Sequence, residues 1–330
     1  MICLQCIAVE RRQLPFVRDF INAGQVLRSK DIVIISVKDQ LGKIYQGEVG
    51  PFPGVHDEDL DKMDLDVLLG KEYNLSSPST WNMSQDFFGQ ELPGGHSSLV
   101  SAWEQILYQI KYLGTSAIKG RVEVAGLLNL AGESSFERFK DLIAKGYRSI
   151  KVKVGREDFD LELGKIKNLL SSIDASTNVQ FRIDGNQSMG EAEMQILSDL
   201  MGERIHFFEE PKIPFSSLES LSEKFPIALD ESLWDRSFDN SLEPFYLVLK
   251  PMRVGLSSIF NYLQQGIETD RLVLSSCFES GLASQIYLDL ALRFGLSAAH
   301  GLGPYDFLKP GRREIEIPFH NGDMILGGEL

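Results

Sequence analysis

The sequence is short of the residues that disulfide frameworks, zinc sites and thiol or imidazole catalysis require. Its 330 residues include three cysteines and five histidines. Three cysteines cannot staple a chain of this length, so a reduced protein is expected. Cys3 and Cys6 form a CxxC, but no second Cys or His pair lies nearby to complete four zinc ligands, and core thiols are the expected state. His56, His96, His206, His300 and His320 share no metal-binding spacing and are expected to be structural or surface groups. No apolar run reaches the roughly 18 residues of a membrane-spanning helix. Met1 to Arg12 has no basic leader and is broken by Gln5 and Glu10, so no signal peptide is expected, and a cytoplasmic location is. Positive charge is scarce as well: 33 Lys and Arg against 47 Asp and Glu leave a formal charge of −14. Such a surface repels nucleic acid phosphates and anionic membranes, which leaves a small molecule as the expected partner and the oligomeric state open. No GxSxG elbow or Cys–His constellation supports nucleophilic hydrolysis, and neither GxGxxG nor a P-loop follows a strand.

What is present is a soluble-type composition, 43% hydrophobic and 24% charged, on a chain long enough for one large domain or two ordinary ones. Residues 32–37 (IVIISV) and 44–49 (IYQGEV) flank the turn-forming segment DQLGK and predict a β-hairpin. Residues 97–113 have helical spacing with Ser at the start. Strands followed by a helix in separate runs point to a small α+β domain. The segment Asp57–Asp66 carries six acids in ten residues, read as a solvated face or, alternatively, an acidic docking site.

From about residue 121 the pattern alternates. Short β-branched runs recur at 122–128, 149–154, 179–184, 205–210, 227–231, 246–250, 271–276 and, weakly, 296–300. Amphipathic stretches such as 158–173, 191–201 and 282–294 separate them. Strand-end landmarks at Lys153, Asp184, Glu209, Asp230, Lys250 and Ser275 are spaced by 31, 25, 21, 20 and 25 residues, the length of one βα unit. Parallel strands without a dinucleotide or phosphate loop predict a TIM-like (β/α)7β barrel. At about 180 residues it is small, so its connections must be short or one helix missing. The expected division is an α+β capping domain over 1–118, the barrel over 119–300, and a tail over 301–330, with REIEIPF (313–319) a further strand-like run, that returns to and completes the cap.

The strand ends carry charge. Lys151 and Lys153 end the second barrel strand, Asp184 the third, Glu209 and Glu210 the fourth, Asp230 and Glu231 the fifth, Lys250 the sixth, and Ser275 and Ser276 the seventh. Barrel active sites form at this end. Three acids on adjacent strands repel one another unless a cation joins them, and an all-oxygen set selects Mg²⁺ or Mn²⁺. Period-2 alternation lets one residue of each acidic pair face the mouth without saying which. The alternative is that these acids cap helices or pair with barrel Arg and Lys. Lys151 and Lys153, two apart, share a face; their mutual repulsion and a nearby metal lower an amine's pKa toward that of a usable base. Lys250 would lie across the mouth. Such a set suits proton removal next to a carboxylate.

Taken together, Lys151-Val-Lys153, Asp184-Gly-Asn186, Glu209-Glu210-Pro211, Asp230-Glu231-Ser232 and Lys250-Pro251 resemble the enolase superfamily, muconate-lactonising subgroup, over nearly the whole chain. The resemblance implies Asp184, Glu209 and Asp230 as Mg²⁺ ligands, with Mn²⁺ an alternative. It implies Lys153 as the acid/base, Lys250 opposite it as a charge-stabilising lysine, and Lys151 as the group that tunes Lys153 and helps bind carboxylate. Arg182 and Asn186 would line the substrate site or support its ligands. GEVGPFPG (47–54) matches a cap segment, and SSCFESGL (275–282) a segment that receives the substrate's side chain, which adds Ser275, Ser276, Glu279 and Ser280 to the expected contacts. The same lysine–acid–lysine set serves dehydrating synthases, epimerases, racemases and cycloisomerases. Short length, SSCFES and GLGPYDFL (301–308) point to the dehydrating branch, and Ala298-Ala299-His300 lacks the acid pair with which dipeptide epimerases hold an ammonium group. A racemase or epimerase is the first alternative. A binding protein without turnover is the second, and its expected sign, a broken ligand or base, is missing.

Overall fold

The computed structural model describes all residues except 23–24, 77, 79–80, 82–94, 114–117, 132–133, 175–176, 235–241 and 328–330. Its N-terminal sheet is antiparallel. Strand β1 (Ile2–Asn22) folds back on β2 (Gln25–Asp39), β3 (Ile44–Val49) follows through the expected turn, and β4 (Glu72–Leu75) pairs with the start of β1, for the order β3-β2-β1-β4. All six side chains of 32–37 are buried, as in a sheet covered on both faces. Helix α1 (Ser97–Tyr108) is buried over most of its circumference because it lies against both β3 and the barrel helix α6 described below. It also closes the edge of the sheet. The Gln105 amide takes the N–H and C=O of Glu48, at 3.0 and 3.3 Å, and Gln109 does the same for Gln46. An exposed edge strand would leave those groups to other chains. Gly47 permits this closeness, since a Cβ there would come within 2.1 Å of the Ala102 carbonyl oxygen. In the acid-rich run, Glu58 accepts from the backbone and hydroxyls of Ser97 and Ser98 at the start of α1, and Asp61 pairs with Arg11, so these acids have structural partners.

The second sheet is parallel. After β5 (Gly120–Glu123) come β6 (Gly126–Asn129), β7 (Ser149–Lys153), β8 (Gln180–Asp184), β9 (Ile205–Glu209), β10 (Ile227–Leu229), β11 (Tyr246–Leu249) and β12 (Leu272–Leu274), with β6 to β12 neighbours in chain order. Helices α2 (Ser135–Ala144), α3 (Phe159–Ser171), α4 (Glu191–Met201), α5 (Phe215–Ser222), α6 (Pro251–Gln264) and α7 (Gly281–Phe294) follow β6, β7, β8, β9, β11 and β12. Among the described residues, only the single turn Glu231–Leu233 follows β10, which accounts for the short barrel. The weak eighth strand is reduced to bridges from His300 to Val124 and from Gly301 to Ser275; these two residues stand between β12 and the β5–β6 segment and close the ring. Phe207, Ala228, Val248, Val273 and Ala298 fill the interior beneath the mouth.

Two expected strands differ. The run 122–128 splits into β5 and β6, because β5 pairs antiparallel with the tail strand β14 (Asp323–Leu326) while β6 joins the parallel sheet. Residues 313–318 form no strand; the Tyr305 hydroxyl donates to the Ile315 carbonyl at 2.7 Å and accepts from the Ile317 N–H at 3.0 Å, taking the place of a strand neighbour. The tail touches β1 on its way, with the Lys309 N–H donating to the Pro15 carbonyl at 2.8 Å, before β13 (Phe319–His320) pairs with β14.

Helix α6 has a break at Gly255 (φ 77°, ψ 163°), and Glu104 of α1 fills it, accepting from the Leu256 and Ser257 N–H groups and, at 2.7 Å, from the Ser257 hydroxyl. A fully buried carboxylate at a helix start thereby fastens cap to barrel. Glu104→Ala strands these donors and is expected to lower the unfolding free energy by about 3 kcal/mol. Urea titration followed by circular dichroism measures it, and an unchanged midpoint would remove Glu104 from the list of cap–barrel fastenings.

Candidate active site

The strand ends converge on a cavity of about 360 Å³. Its floor is charged. On β7, Lys151 and Lys153 point inward while Val152 between them packs into the core. The Lys151 ammonium stands between Asp184 and Glu209, at 2.8 Å from Asp184 Oδ2 and 2.6 Å from Glu209 Oε1. Lys153 Nζ lies 3.8 Å from Asp184 Oδ2 and 3.5 Å from Asn186 Oδ1. Lys250 contacts Asp230 directly. Asp184, Glu209 and Asp230 are almost wholly buried.

Alternation resolves one acidic pair. Glu209 faces the cavity, whereas Glu210, in a left-handed backbone conformation (φ 46°), turns to the next loop and accepts the Asp230 N–H at 2.8 Å and the Ser232 hydroxyl at 2.5 Å. The other pair corrects the expectation that only one residue of each reaches the mouth. Strand β10 ends at Leu229, so Asp230 and Glu231 lie beyond the pleat and both line the cavity. Glu231 was read as a strand-end acid but not as a site residue for that reason; one of its carboxylate oxygens is buried without a hydrogen-bond donor among the described residues.

The charges govern one another. Burial opposes ionisation of Asp184, but Lys151 and Lys153 outweigh it and hold the carboxyl down to about 2. Burial pushes Glu209 up to about 8, with Asp184 and Asp230 adding to the rise and Lys151 opposing it. Burial lowers the Lys153 amine below its usual value; Asp184 works against this, while the positive charges of Lys151, Arg156 and Lys250 reinforce it. Burial opposes the charge on Lys151 and Lys250 too, yet the surrounding carboxylates raise both. Lys153 is thus the amine most readily freed of its proton.

A hard divalent cation fits these donors. The acids offer oxygen only, and among the described residues no imidazole lines the cavity and Asp230 Oδ1 is buried with no hydrogen-bond donor. As the side chains stand, no three acid, His or Cys groups among the described residues close on one point, because ammonium groups lie among the carboxylates.

The expected substrate contacts divide. Arg182, Asn186, Ser275 and Ser276 line the cavity. The Arg182 guanidinium is buried, donating from Nε to His206 Nδ1 at 3.2 Å and lying 4.8 Å from the Phe207 ring centre. Glu279 and Ser280 do not line it. Glu279 accepts from the Ser276 hydroxyl and the Cys277 N–H of its own turn, and Ser280 is bound to Glu48 of the cap. The upper wall is aromatic: Phe20 from the end of the β1–β2 hairpin and Phe52 from the cap segment after β3 meet Phe278 with ring centres 4.7 and 5.0 Å apart. Phe20 was not singled out in the sequence, and Phe278 stood inside the SSCFESGL segment without being named as a contact, since a lone Phe carries no sign of a site.

Residues 136–241 match the family described as enolase C-terminal domain-like. The chain is 25% identical to the o-succinylbenzoate synthase of Thermosynechococcus vestitus, over 82% of this chain and 83% of that one. The solved o-succinylbenzoate synthase of Thermosynechococcus elongatus, which has Mg in its active site, superposes with a TM-score of 0.68 at 22% identity, covering 92% of this chain and 94% of that one. The L-Ala-D/L-Glu epimerase of Bacillus subtilis superposes with a TM-score of 0.74 at 19% identity, covering 98% and 97%.

A depressed lysine is neutral, and so acylated, at lower pH than its neighbours. Lys153 is therefore expected to react with a small anhydride ahead of Lys151 and Lys250. Arg156→Gln removes a positive neighbour and should shift the pH of half-reaction at Lys153 upward. Mass spectrometry of peptides labelled across a pH series reads both effects; equal reactivity of the three lysines would contradict the assignment.

Proposed function

We propose that the chain, whose residues 136–241 match the enolase C-terminal domain-like family, is an o-succinylbenzoate synthase of the enolase superfamily, catalysing the syn dehydration of 2-succinyl-6-hydroxy-2,4-cyclohexadiene-1-carboxylate to 2-succinylbenzoate in menaquinone biosynthesis. The observation that carries this reading is the distribution of charge in the cavity. Among the described residues its only acids are Asp184, Glu209, Asp230 and Glu231, all in the basal cluster, and the opposite wall is Phe20, Phe52 and Phe278. A ring-bearing acid fits such a wall. A dipeptide or free amino acid would bring an ammonium group with no carboxylate left to receive it.

Asp184, Glu209 and Asp230 would hold Mg²⁺, or Mn²⁺ in its place, and Lys151 would yield its position between two of them. When bound, the ion supplies Lewis-acid stabilisation of the negative charge that develops on the substrate carboxylate. The neutral Lys153 amine removes the proton from the ring carbon bearing that carboxylate. Lys250, on the other side of the cluster, contributes a fixed positive charge toward the same group. The Lys153 ammonium then returns the proton to the departing hydroxide, so water leaves and the ring becomes aromatic. Aromatisation drives the second step, and a single base serves both. The aromatic wall excludes water from the ring while the carboxylates stay at the cavity floor.

Lys153→Ala is expected to cut turnover by about 10²–10⁴-fold or more while leaving the circular dichroism spectrum intact, the range for loss of a general acid/base. Wild-type activity in that variant would overturn the role of Lys153. Loss of the cyclohexadiene absorbance on mixing protein with substrate, abolished by EDTA and restored by Mg²⁺, is the expected direct result. If the absorbance persists and the protein instead exchanges solvent deuterium into an N-acylamino acid or a dipeptide, racemase or epimerase chemistry replaces this reading.

A further inference from the structure

Glu48 is wholly buried on β3 of the cap, yet its carboxylate serves the barrel. It accepts the Ser280 N–H at 3.0 Å and also the Ser280 hydroxyl. Ser280 is the residue at which α7 begins, its hydroxyl oxygen accepting the Leu282 N–H at 3.2 Å, so Glu48 places a negative group at the start of a 14-residue helix. The counter-charge is Lys30 of β2, 3% exposed, with Nζ 3.9 Å from Glu48 Oε1 and no hydrogen-bond partner among the described residues. Gly50 leaves room for that amine, since a Cβ there would lie 2.8 Å from Nζ.

The turn that ends at Ser280 supplies Ser275, Ser276, Cys277 and Phe278 to the cavity wall. It is strained, with Phe278 at φ 63°, and strain of this kind persists only where the surroundings over-determine the backbone. Within the turn, Glu279 Oε2 accepts the Ser276 hydroxyl at 2.6 Å and the Cys277 N–H at 2.7 Å, and Ser276 Oγ accepts the Phe278 N–H at 2.8 Å. Those bonds are internal to the turn and do not fix where it sits against the cap. Two contacts do: the packing of Phe278 on Phe20 and Phe52, and the hydrogen bonds from Ser280 to Glu48.

We propose that Glu48 is a positioning residue for substrate binding: from the cap it seats the 275–280 turn that walls the cavity, and Lys30 is its buried counter-charge. This rests on the cavity being the substrate site of the proposed dehydration. Burial pushes the Glu48 carboxyl up to about 7 although Lys30 and Ser280 both pull it back, so loss of Lys30 weakens the acceptor without removing it.

The test compares full-length Glu48→Gln, Lys30→Met and the double variant by hydrogen–deuterium exchange of the peptide spanning 275–282 and by steady-state kinetics. Glu48→Gln is expected to speed exchange in that peptide and to raise KM about tenfold with kcat altered less than about threefold, the scale of one lost charge-assisted hydrogen bond. Lys30→Met shifts both in the same direction by less, and the double variant is no worse than Glu48→Gln alone, because the two side chains act as one unit. Unchanged exchange in folded Glu48→Gln, or single effects that simply add, overturns the proposal. If Glu48→Gln does not fold, Ser280→Ala removes the same hydroxyl donor and must loosen the turn; an unaltered peptide there overturns it equally. The exchange measurement needs no substrate, so it decides the seating of the turn even if the protein proves not to dehydrate the cyclohexadiene acid.

Discussion

The site rests on burying ammonium and carboxylate groups together. Moving either kind of charge alone into the barrel mouth carries a large desolvation cost, and breaking a buried pair strands the partner left behind. Lys151 between Asp184 and Glu209, and Lys250 on Asp230, meet that cost as an interlocked set. The balance is uneven by design of position. Lys151 and Lys250 are surrounded by acids and stay charged, while Lys153 sits at the margin with one carboxylate 3.8 Å away and cations around it. One of three similar lysines is thereby held below its usual pKa, by burial first and by the surrounding cations second.

The cap is joined to this mouth by a repeated device. Glu104 accepts donors at the restart of α6 after Gly255, and Glu48 accepts those at the start of α7. Each is a buried acid of the cap set at the N-terminal end of a barrel helix, where unpaired N–H groups favour negative charge. Glu58 does the same for α1 within the cap. The outcome is that Phe20 and Phe52, which come from the cap, meet Phe278, which comes from the barrel, over a single cavity.

Legibility followed period and spacing. The hairpin, the helices after β7, β8 and β12, and the strand-end residues were all visible because apolar alternation and a near-constant βα length leave a direct mark on the chain. The split of 122–128 was not, since its two halves are alike in composition and differ only in which strand each one meets. Glu231 was missed because a rule about pleated strands was applied to the two residues past the strand's end. Glu279 and Ser280 looked like contacts because they share a segment with Ser275 and Ser276, but side chains in a turn point in directions that no period describes.

The chain's own pattern determined the parallel barrel, the level at which its charged residues stand, and the oxygen-only character of the acids. These are properties of residue type and of distance along the chain, and each strand carries them independently. Tertiary structure decided which acids face the cavity, which lysine has its pKa lowered, and which aromatic rings form the wall. Those outcomes depend on neighbours brought from elsewhere in the chain: Lys151 beside Glu209, 58 residues away, and Glu48 beside Ser280, 232 residues away. A pKa or a wall is a sum over such neighbours, and it exists only once the fold has assembled them.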